Sequence, residues 1–412
     1  MSNENPFFLN EEYKAWKKNS SYIYDTVVTQ CLDSISYTVS MLPDVTKMDE
    51  FIKYRCLLGT NQPSEDETNS LLLGELKIPR HDLEFDVTDY SSAMLPFNST
   101  DKDAVSCFKI VQAIHVDSPV NVVRYCQQEA SLIGVRTSKS GYLYDQKMFP
   151  SKPQENSKPT FTLGECVGDS WAFEFDTATS TKIATGSPLF DESPDTLLIY
   201  DISQESSNVI HPFYTIAMDS VVCDVSWHPM SSNIVSVALD DGGFQLIDVR
   251  DDKTAEHRCA AHLGGCNSID WNCYAHHIIV TGGSDANCNA WDIRNPNKAL
   301  HTFTGHTDEV YKVKWCPHNE ALFASCAADR RVILWDPARI GMTQSEEDSN
   351  DGPPEMLFVH AGHINRVNDI CWAPDSLMLA STAEDSLLEF WRPAANIFAA
   401  ATLPNVTDKD LE

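Results

Sequence analysis

Short runs of apolar and β-branched residues, separated by turn residues, recur along most of the chain and predict strands. Three stretches also repeat one polar and aromatic signature. In each, a histidine lies nine residues before a first tryptophan, and an aspartate lies six residues before a second. A serine or threonine stands four residues before that aspartate. The three sets are His262, Thr281, Asp285 and Trp291; His306, Ser325, Asp329 and Trp335; and His363, Ser381, Asp385 and Trp391.

The chemistry of these four residue types suits a buried hydrogen-bonded chain. The aspartate can accept from the imidazole and from turn amides, and the tryptophan ring can fill the core while its N–H finds a partner. We therefore interpret the histidines and aspartates as structural, rather than as metal ligands or catalytic bases. The pattern resembles the WD repeat, the four-stranded blade of a β-propeller.

Weaker copies of the signature extend toward the N-terminus. They begin near His115, Asp169 and Met218, and the segment Ile52–Ile78 adds two further strand-like runs. With the three clear repeats, these make seven units. We expect an all-β, seven-bladed propeller whose ring is closed by strands from both chain ends, because closure removes free sheet edges.

Two segments are predicted to lie outside the repeats. The first, from Asn10 to about Cys31, has apolar residues at helical spacing and an asparagine suited to an N-cap, so residues 1–32 are predicted to form an arm and an α-helix. The second is an insertion at residues 341–355. The propeller is predicted over 33–398, with a C-terminal tail over 399–412.

The insertion is visible in the repeat spacing. His262 and His306 are 44 residues apart, whereas His306 and His363 are 57 apart. The stretch Ser345–Glu355 carries five acidic residues and a Pro-Pro pair, which predict an exposed, stiffened loop. The apolar run Met356–Val359 follows it directly.

Composition narrows the kind of partner. The 412 residues include 60 acidic and 30 basic side chains, a formal net charge of −30, which argues against direct binding to nucleic acid or to an anionic membrane and favours a basic partner. No run of apolar residues reaches membrane-spanning length, and the first ten residues lack the features of a secretory signal. Thirteen cysteines without a CxxC pair indicate buried free thiols in a reducing compartment.

Several short motifs occur in and around the helix and the repeats. They are Asn10-Glu-Glu-Tyr-Lys-Ala-Trp-Lys-Lys-Asn19, Tyr24-Asp25, Leu42-Pro-Asp-Val45, Pro317-His-Asn-Glu320, Asp329-Arg-Arg331 and Asp351-Gly-Pro-Pro-Glu355. With these motifs the chain closely resembles the histone-binding WD-repeat proteins, the retinoblastoma-binding chaperone subunits shared by chromatin assembly factor, histone acetyltransferase, deacetylase and Polycomb complexes. The resemblance covers residues 10 to 398 and is strongest at the N-terminal helix and beyond residue 260.

The resemblance implies a groove on the side of the propeller, between the N-terminal helix and the Pro-Pro loop, that takes the first helix of histone H4. By matching position, Ile23, Phe358 and Val359 would form its apolar floor, and Asp348 and Asp351 would meet basic histone side chains. It further implies a non-catalytic histone H3–H4 chaperone subunit without cofactor or metal. Such a subunit would be located in the nucleus with a cytoplasmic pool.

The resemblance also implies a second site, on the propeller face over the channel, for a basic histone tail or a similar peptide. At Asn61, Pro119 and Cys223 the chain departs from the family pattern, so we expect the side groove to be retained and the face to have an altered peptide preference. The compatible face positions are Asn121, Asp169, Trp171, Asn267, Glu309, Tyr311, Arg366 and Glu384.

The sequence also bears on three alternative functions. Trp291-Asp-Ile-Arg294 and Ile247-Asp-Val-Arg250 resemble the motif by which some WD-repeat proteins dock to a cullin adaptor, which would make the protein a substrate receptor of a ubiquitin ligase. A generic WD-repeat scaffold is a further alternative, because a fold alone does not fix a function. An enzyme is disfavoured, since no nucleophile elbow, phosphate-binding glycine loop or zinc-protease motif occurs.

Overall fold

The repeated units form the blades of a propeller. The computed structural model describes residues 11–62, 68–79, 107–150, 157–188, 195–204, 207–250, 257–345 and 348–402. Within these ranges the strands form seven sheets, and the innermost strands of successive sheets contact one another in a closed circle. The predicted fold class, an all-β propeller of seven blades, is confirmed.

Strands are numbered in chain order and given from the inside of each blade outward. Blades 1 to 3 contain β2 (Ser36–Met41), β4 (Phe51–Thr60), β5 (Asn69–Pro79) and β6 (Phe108–Val116); β7 (Val120–Tyr125), β8 (Leu132–Thr137), β9 (Gly141–Asp145) and β10 (Phe161–Leu163); and β11 (Phe173–Phe175), β12 (Lys182–Ser187), β13 (Thr196–Asp201) and β15 (Tyr214–Ala217). Two short strands are attached at the margins, β3 (Thr46–Lys47) beside β4 and β14 (Val209–Ile210) parallel to β10.

The remaining blades include the three clear repeats. Blades 4 to 6 contain β16 (Val222–Trp227), β17 (Ile234–Leu239), β18 (Gly243–Asp248) and β19 (His257–Ala260); β20 (Cys266–Trp271), β21 (Ile278–Gly283), β22 (Asn287–Asp292) and β23 (His301–Thr304); and β24 (Val310–Trp315), β25 (Phe323–Ala327), β26 (Val332–Trp335) and β27 (Met356–His360). Blade 7 contains β28 (Val367–Trp372), β29 (Leu379–Ala383), β30 (Leu387–Pro393) and β1 (Tyr24–Cys31).

Blade 7 is assembled from both ends of the chain. Its outermost strand, β1, comes from the N-terminal segment and pairs antiparallel with β30, placing Val27 opposite Trp391. The inner strand of this blade contacts the inner strand of blade 1, so the ring is closed. Closure by strands from both termini, predicted from the repeats, is therefore confirmed.

The N-terminal helix is shorter than the sequence pattern predicted. Helix α1 spans Glu11–Ile23, and the next eight residues form strand β1. The expectation that the helix continues to Cys31 is wrong, because Thr26–Thr29 is a run of β-branched residues that favours a strand and finds a partner on the edge of β30. Asn10, the expected N-cap, lies outside the described residues.

A second helix occurs where only a tail was expected. Helix α2 spans Ala395–Thr402, and its side chains Ile397 and Phe398 pack against the same apolar cluster as α1. The alanine-rich sequence favours a helix, since alanine has the best intrinsic helix propensity. The two helices thus share one flank of the propeller.

The recurring spacing of the repeats produces a hydrogen-bonded tetrad in blades 5 and 6. His306 Nδ1 lies 2.8 Å from Asp329, and its Nε2 lies 2.7 Å from the Ser325 hydroxyl, which also accepts the Trp335 indole N–H at 2.7 Å. The same contacts in the preceding blade join His262, Thr281, Asp285 and Trp291, at 2.9 to 3.0 Å. Each tetrad ties a loop to two strands of its blade.

The tetrad of blade 7 is looser than the other two. His363 Nε2 lies 2.8 Å from the Ser381 hydroxyl, which accepts the Trp391 indole N–H at 3.2 Å. The separation between His363 Nδ1 and the Asp385 carboxylate is 3.7 Å, too long for a hydrogen bond. A second carboxylate, that of Glu389, lies 4.0 Å from His363 Nε2. Neither of the other two repeats has an acidic residue at the position of Glu389.

Ion pairs at the central channel join both neighbouring and non-neighbouring blades. Lys312 in blade 6 contacts Asp224 in blade 4 at 2.8 Å. Lys314, two residues further along the same strand, contacts Asp270 at 2.8 Å and reaches Glu174 in blade 3 at 3.4 Å. These pairs are largely removed from water, so breaking one would leave a buried charge without its partner.

The sequence also led to predictions about the cysteine side chains and about membrane-spanning segments. All thirteen cysteines are free, and eight are buried, as expected for thiols that pack as small apolar side chains. No helix within the described ranges has the length and apolar character needed to cross a membrane.

Candidate functional site

Helix α1 lies on the flank of the propeller where the side groove was predicted. It buries Tyr13 and Trp16 against the outer strands of blades 6 and 7. The Trp16 ring meets the Tyr24 ring edge-on, with the centroids 6.2 Å apart, and the His360 ring at 5.7 Å. The helix is therefore docked by aromatic packing, because a helix this short is marginal by itself in water.

A chain of buried polar contacts continues from this aromatic cluster into blade 7. The Trp16 indole N–H donates to the Tyr24 hydroxyl at 2.8 Å. The Tyr24 hydroxyl lies 2.7 Å from His360 Nδ1, and His360 Nε2 lies 2.7 Å from Glu389, whose other oxygen accepts from the Thr29 hydroxyl at 3.0 Å. His360 and Glu389 are fully buried. Sequence reasoning did not identify this chain, which we call the docking chain.

The expected apolar floor is only partly assembled. Ile23 and Phe358 belong to one cluster, in which the Phe358 ring packs edge-on against Tyr24 at 5.2 Å. Val359 instead packs with the cluster between blades 5 and 6. Phe358 and Val359 are adjacent on β27 and pack with different clusters, so a floor that both residues form stays a prediction.

The Pro-Pro loop, predicted to be the opposite wall of this groove, is held by two side-chain contacts. Its last residue, Glu355, contacts His301 Nε2 at 2.8 Å, and the Gln344 side-chain amide donates to the Gly352 carbonyl at 3.2 Å. Gly352 has a φ of +145°, a backbone conformation that residues with a side chain rarely adopt. The described part of the loop therefore has a defined path into β27.

The two predicted acidic contacts lie in this loop. Asp348 begins a single 3-10 turn, Asp348–Asn350, and its side chain lies outside the described part of the structure. The Asp351 side chain is exposed. The loop thus presents at least one carboxylate to solvent beside the groove.

Three exposed apolar side chains near the groove were missed by sequence reasoning. Tyr22 precedes Ile23 in α1 and is 81% exposed, and Ile340 and Met342 are exposed where the loop begins. The sequence does contain features that could have identified these side chains. They are an aromatic residue on the polar side of the helix and apolar residues beside an acidic stretch. Together they make the groove walls apolar as well as acidic.

The propeller face has a pocket of about 630 Å³ over the channel. Seven of the eight predicted face residues line it, the exception being Arg366, whose guanidinium donates to the Tyr311 hydroxyl at 3.4 Å. The three positions that depart from the family pattern, Asn61, Pro119 and Cys223, line the same pocket. The predicted residues that line it are Asn121, Asp169, Trp171, Asn267, Glu309, Tyr311 and Glu384.

The chemistry of the face suits a cationic group. The half-exposed Trp171 ring meets Tyr37 edge-on at 5.5 Å, and Asp169 accepts a hydrogen bond from the Asn121 amide. Carboxylates of Glu309 and Glu384 belong to the same pocket lining. Aromatic faces and carboxylates are the groups that attract ammonium and guanidinium ions.

The part of the chain that is described holds one group of side chains close enough to share a metal ion, namely His360, His363 and Glu389. The atoms that face one another are already engaged, His360 Nε2 with Glu389 and His363 Nε2 with Ser381. We therefore interpret the group as part of a hydrogen-bonded network.

The residues of the cullin-adaptor motif lie at the ends of β18 and β22. Arg294 pairs with Asp292 of its own turn at 2.6 Å, and Arg250 forms the equivalent pair with Asp248. Both guanidinium groups are exposed and already bound to a carboxylate.

The fold and the tetrads define a WD-repeat β-propeller. Residues 354–392 match the model described as WD domain, G-beta repeat, and residues 190–335 match the EIPR1 beta-propeller. Residues 11–80, which contain α1 and the first strands, match the model that describes the histone-binding protein RBBP4 and its counterpart in the CAF1 complex. These matches are consistent with the histone-binding WD-repeat family, which the sequence resembles. Proteins of this kind are typically non-catalytic scaffolds.

Proposed function

We propose that the protein is a histone-binding subunit that holds the first helix of histone H4 in the groove between α1 and the Pro-Pro loop. The observation that carries this proposal is the arrangement of the two walls. A helix docked by Trp16 and an acidic loop anchored by Glu355 flank an apolar strip that includes Phe358. A bare propeller needs neither wall for its stability.

The chemistry of the groove matches an amphipathic basic helix. Such a helix lays its apolar face into a groove and leaves charged residues at the rim. Tyr22 and the partly exposed Ile23 offer apolar surface, and Asp351 offers a carboxylate. The net charge of −30 should accelerate association with a basic partner, and added salt should slow it.

The family match also supports a wider role. Because the family is chromatin-associated, we propose a nuclear location, with a cytoplasmic pool before the histones are delivered. The H3–H4 pair would be the cargo, and other subunits of assembly, acetyltransferase, deacetylase or Polycomb complexes would be the partners. The face pocket would take a basic peptide, with a preference altered by Asn61, Pro119 and Cys223.

The double substitution Asp348→Lys and Asp351→Lys tests the groove. Loss of two charge-assisted contacts, at about 1.5–3 kcal/mol each, should weaken binding of a histone H4 helix-1 peptide by at least about a hundredfold. Isothermal titration calorimetry at fixed salt measures the change.

Two control variants keep this result specific. Asp49→Lys and Glu50→Lys make the same charge change at exposed positions near β3 and should leave binding within about twofold. Glu309→Lys with Glu384→Lys alters the face and should also leave the H4 peptide bound. Unchanged binding in the loop variant would reject the groove and favour a generic scaffold.

A further inference from the structure

The docking chain has only one possible direction of donation. An indole N–H can only donate, and an ionised carboxylate can only accept. Trp16 therefore donates to the Tyr24 oxygen, and the Tyr24 O–H donates to His360 Nδ1. His360 must then carry its single proton on Nε2, from which it donates to Glu389. The docked state of α1 thus requires a neutral His360.

A second proton on His360 has no place in this arrangement. An N–H at Nδ1 would point at the Tyr24 oxygen, which already accepts from Trp16, and the Tyr24 O–H would lose its acceptor. The ring cannot turn to find another partner, because it is stacked on Trp391 with the centroids 4.2 Å apart. An unsatisfied buried donor disfavours the state that contains it.

The titratable groups around His360 come from α1, β1, blade 7 and the loop before it. Burial lowers the pKa of His360 despite the opposing effect of Glu389. Burial by itself would lower the pKa of His363, but Glu389 and Asp385 raise it. Burial would raise the pKa of Glu389, but His363 and His360 lower it overall. Among the described side chains the set is Tyr13, Tyr24, His363, Asp385 and Glu389.

Tyr13, Tyr24 and Asp385 each stay in one charge state near neutral pH. Burial raises the pKa of Tyr13 to about 12 and that of Tyr24 well above its usual range, so both remain neutral phenols. Asp385 stays ionised, because His363 holds its pKa down against the effect of burial. His363 bonds Ser381 within the blade, so release of α1 leaves its surroundings in place. His360 is the group whose protonation differs between docked and released helix.

We propose that Glu389 is a positioning residue for the side groove, acting through His360 and Tyr24 on helix α1, and that acid loosens the helix by protonating His360. The proposal rests on the groove being the histone site and adds a regulation to it. Glu389 is particular to blade 7, since the equivalent positions of blades 5 and 6 are Asn289 and Ile333. The Glu389 carboxylate connects blade 7 to helix α1 through His360 and Tyr24.

The direction of the pH effect follows from the lowered pKa of His360. Burial holds the pKa of His360 below that of an ordinary imidazole, about 6.5, so docking stability is present above this pH and is lost as the pH falls below it. One pH unit below, release should be about tenfold more populated. The histone helix should bind less tightly at pH 5.5 than at pH 7.5, by the factor by which the docked fraction falls.

Hydrogen exchange of the full chain tests the proposal without histone. Amides of residues 11–23, corrected for intrinsic rates, should exchange about tenfold faster at pH 5.5 than at pH 7.5 in the wild type. His360→Gln keeps an acceptor for Tyr24 and a donor for Glu389 but cannot titrate, so its helix should stay protected at both pH values. The matched control His262→Gln, in the tetrad of blade 5, should retain the tenfold step.

A second variant covers the case in which His360→Gln does not fold. Tyr24→Phe keeps the ring packing and removes only the hydroxyl, so α1 should exchange at pH 7.5 as fast as the wild-type helix does at pH 5.5. A wild-type helix whose corrected exchange does not change with pH would overturn the proposal, as would a His360→Gln helix with the full acid step. If exchange behaves as expected but an H4 helix-1 peptide fails to bind at pH 7.5, the histone assignment fails and the coupling stands.

Discussion

Replacement of Trp335 by alanine should lower the free energy of unfolding by about 3–5 kcal/mol, the range for removing a large buried aromatic side chain. Trp335 is fully buried between blades 5 and 6, with its ring 5.4 Å from that of Phe303, and its indole N–H donates to Ser325. The substitution leaves a cavity and also takes a partner from the hydroxyl that His306 uses. Urea unfolding followed by circular dichroism measures the loss.

The matched control is Trp171→Ala, which removes the same side chain from the propeller face. Trp171 is 46% exposed, so its loss should cost less than about 1 kcal/mol. Equal losses in the two variants would contradict the assignment of Trp335 as a tetrad and core residue. A decrease confined to Trp335→Ala would show that the tryptophan of the repeat signature serves blade packing.

Replacement of Lys314 by methionine should be the second most damaging change, at about 3 kcal/mol, because it leaves buried carboxylates without their cation. Lys314 lies between Asp270 and Glu174 in the channel. Burial alone would lower its pKa, but Asp270 and Glu174 raise it above the usual range, so the ammonium stays charged. Methionine retains most of the side-chain volume and removes only the charge.

The pH dependence of this variant separates charge loss from a packing defect. Burial already raises the pKa of Glu174, and loss of Lys314, which opposes that rise, should raise it further. A carboxyl group whose folded pKa lies above its unfolded value binds protons preferentially in the folded state, so acid should favour folding of the variant. The difference in free energy of unfolding between Lys314→Met and wild type should therefore be smaller at pH 5 than at pH 7.

Glu174→Gln provides the corresponding control for Lys314→Met. In the double variant one uncompensated carboxylate is gone, so it should recover part of the lost stability. The loss in free energy of unfolding caused by Lys314→Met could instead be the same at pH 7 and pH 5, and the same with or without Glu174→Gln. That result would contradict an electrostatic origin of the loss. Such a result would leave packing around the methionine as the cause.

The parts of the structure that could be predicted from the sequence are those determined by local residue patterns or by intervals that repeat along the chain. The tetrads of blades 5 and 6 follow from intervals that recur in register, and the acidic loop follows from the excess length between His306 and His363. The end of helix α1 was misplaced because Tyr24, Val27 and Val28 satisfy a helical stripe and a strand equally well. Only pairing with β30 decides between the two, and that pairing joins opposite ends of the chain.

Contacts between distant residues had no such signal. Tyr24 and His360 are 336 positions apart, and Lys314 and Glu174 are 140 apart. Val359 was assigned to the groove by matching position, whereas the side of the strand it occupies depends on the register with β26. Buried polar chemistry that joins separate blades therefore required the assembled ring.

The composite last blade also sets the order in which the protein can become functional during synthesis. Strand β1 is synthesised long before its partner β30, because the other blades lie between the two strands in the chain. Until then β1 has an open edge, the kind of surface that pairs with other chains. Helix α1 and the Glu389 end of the docking chain meet only when this strand is seated. A chain that stops before blade 7 lacks the docked helix and therefore the proposed groove. Binding at this site would thus require that the whole propeller has been synthesised.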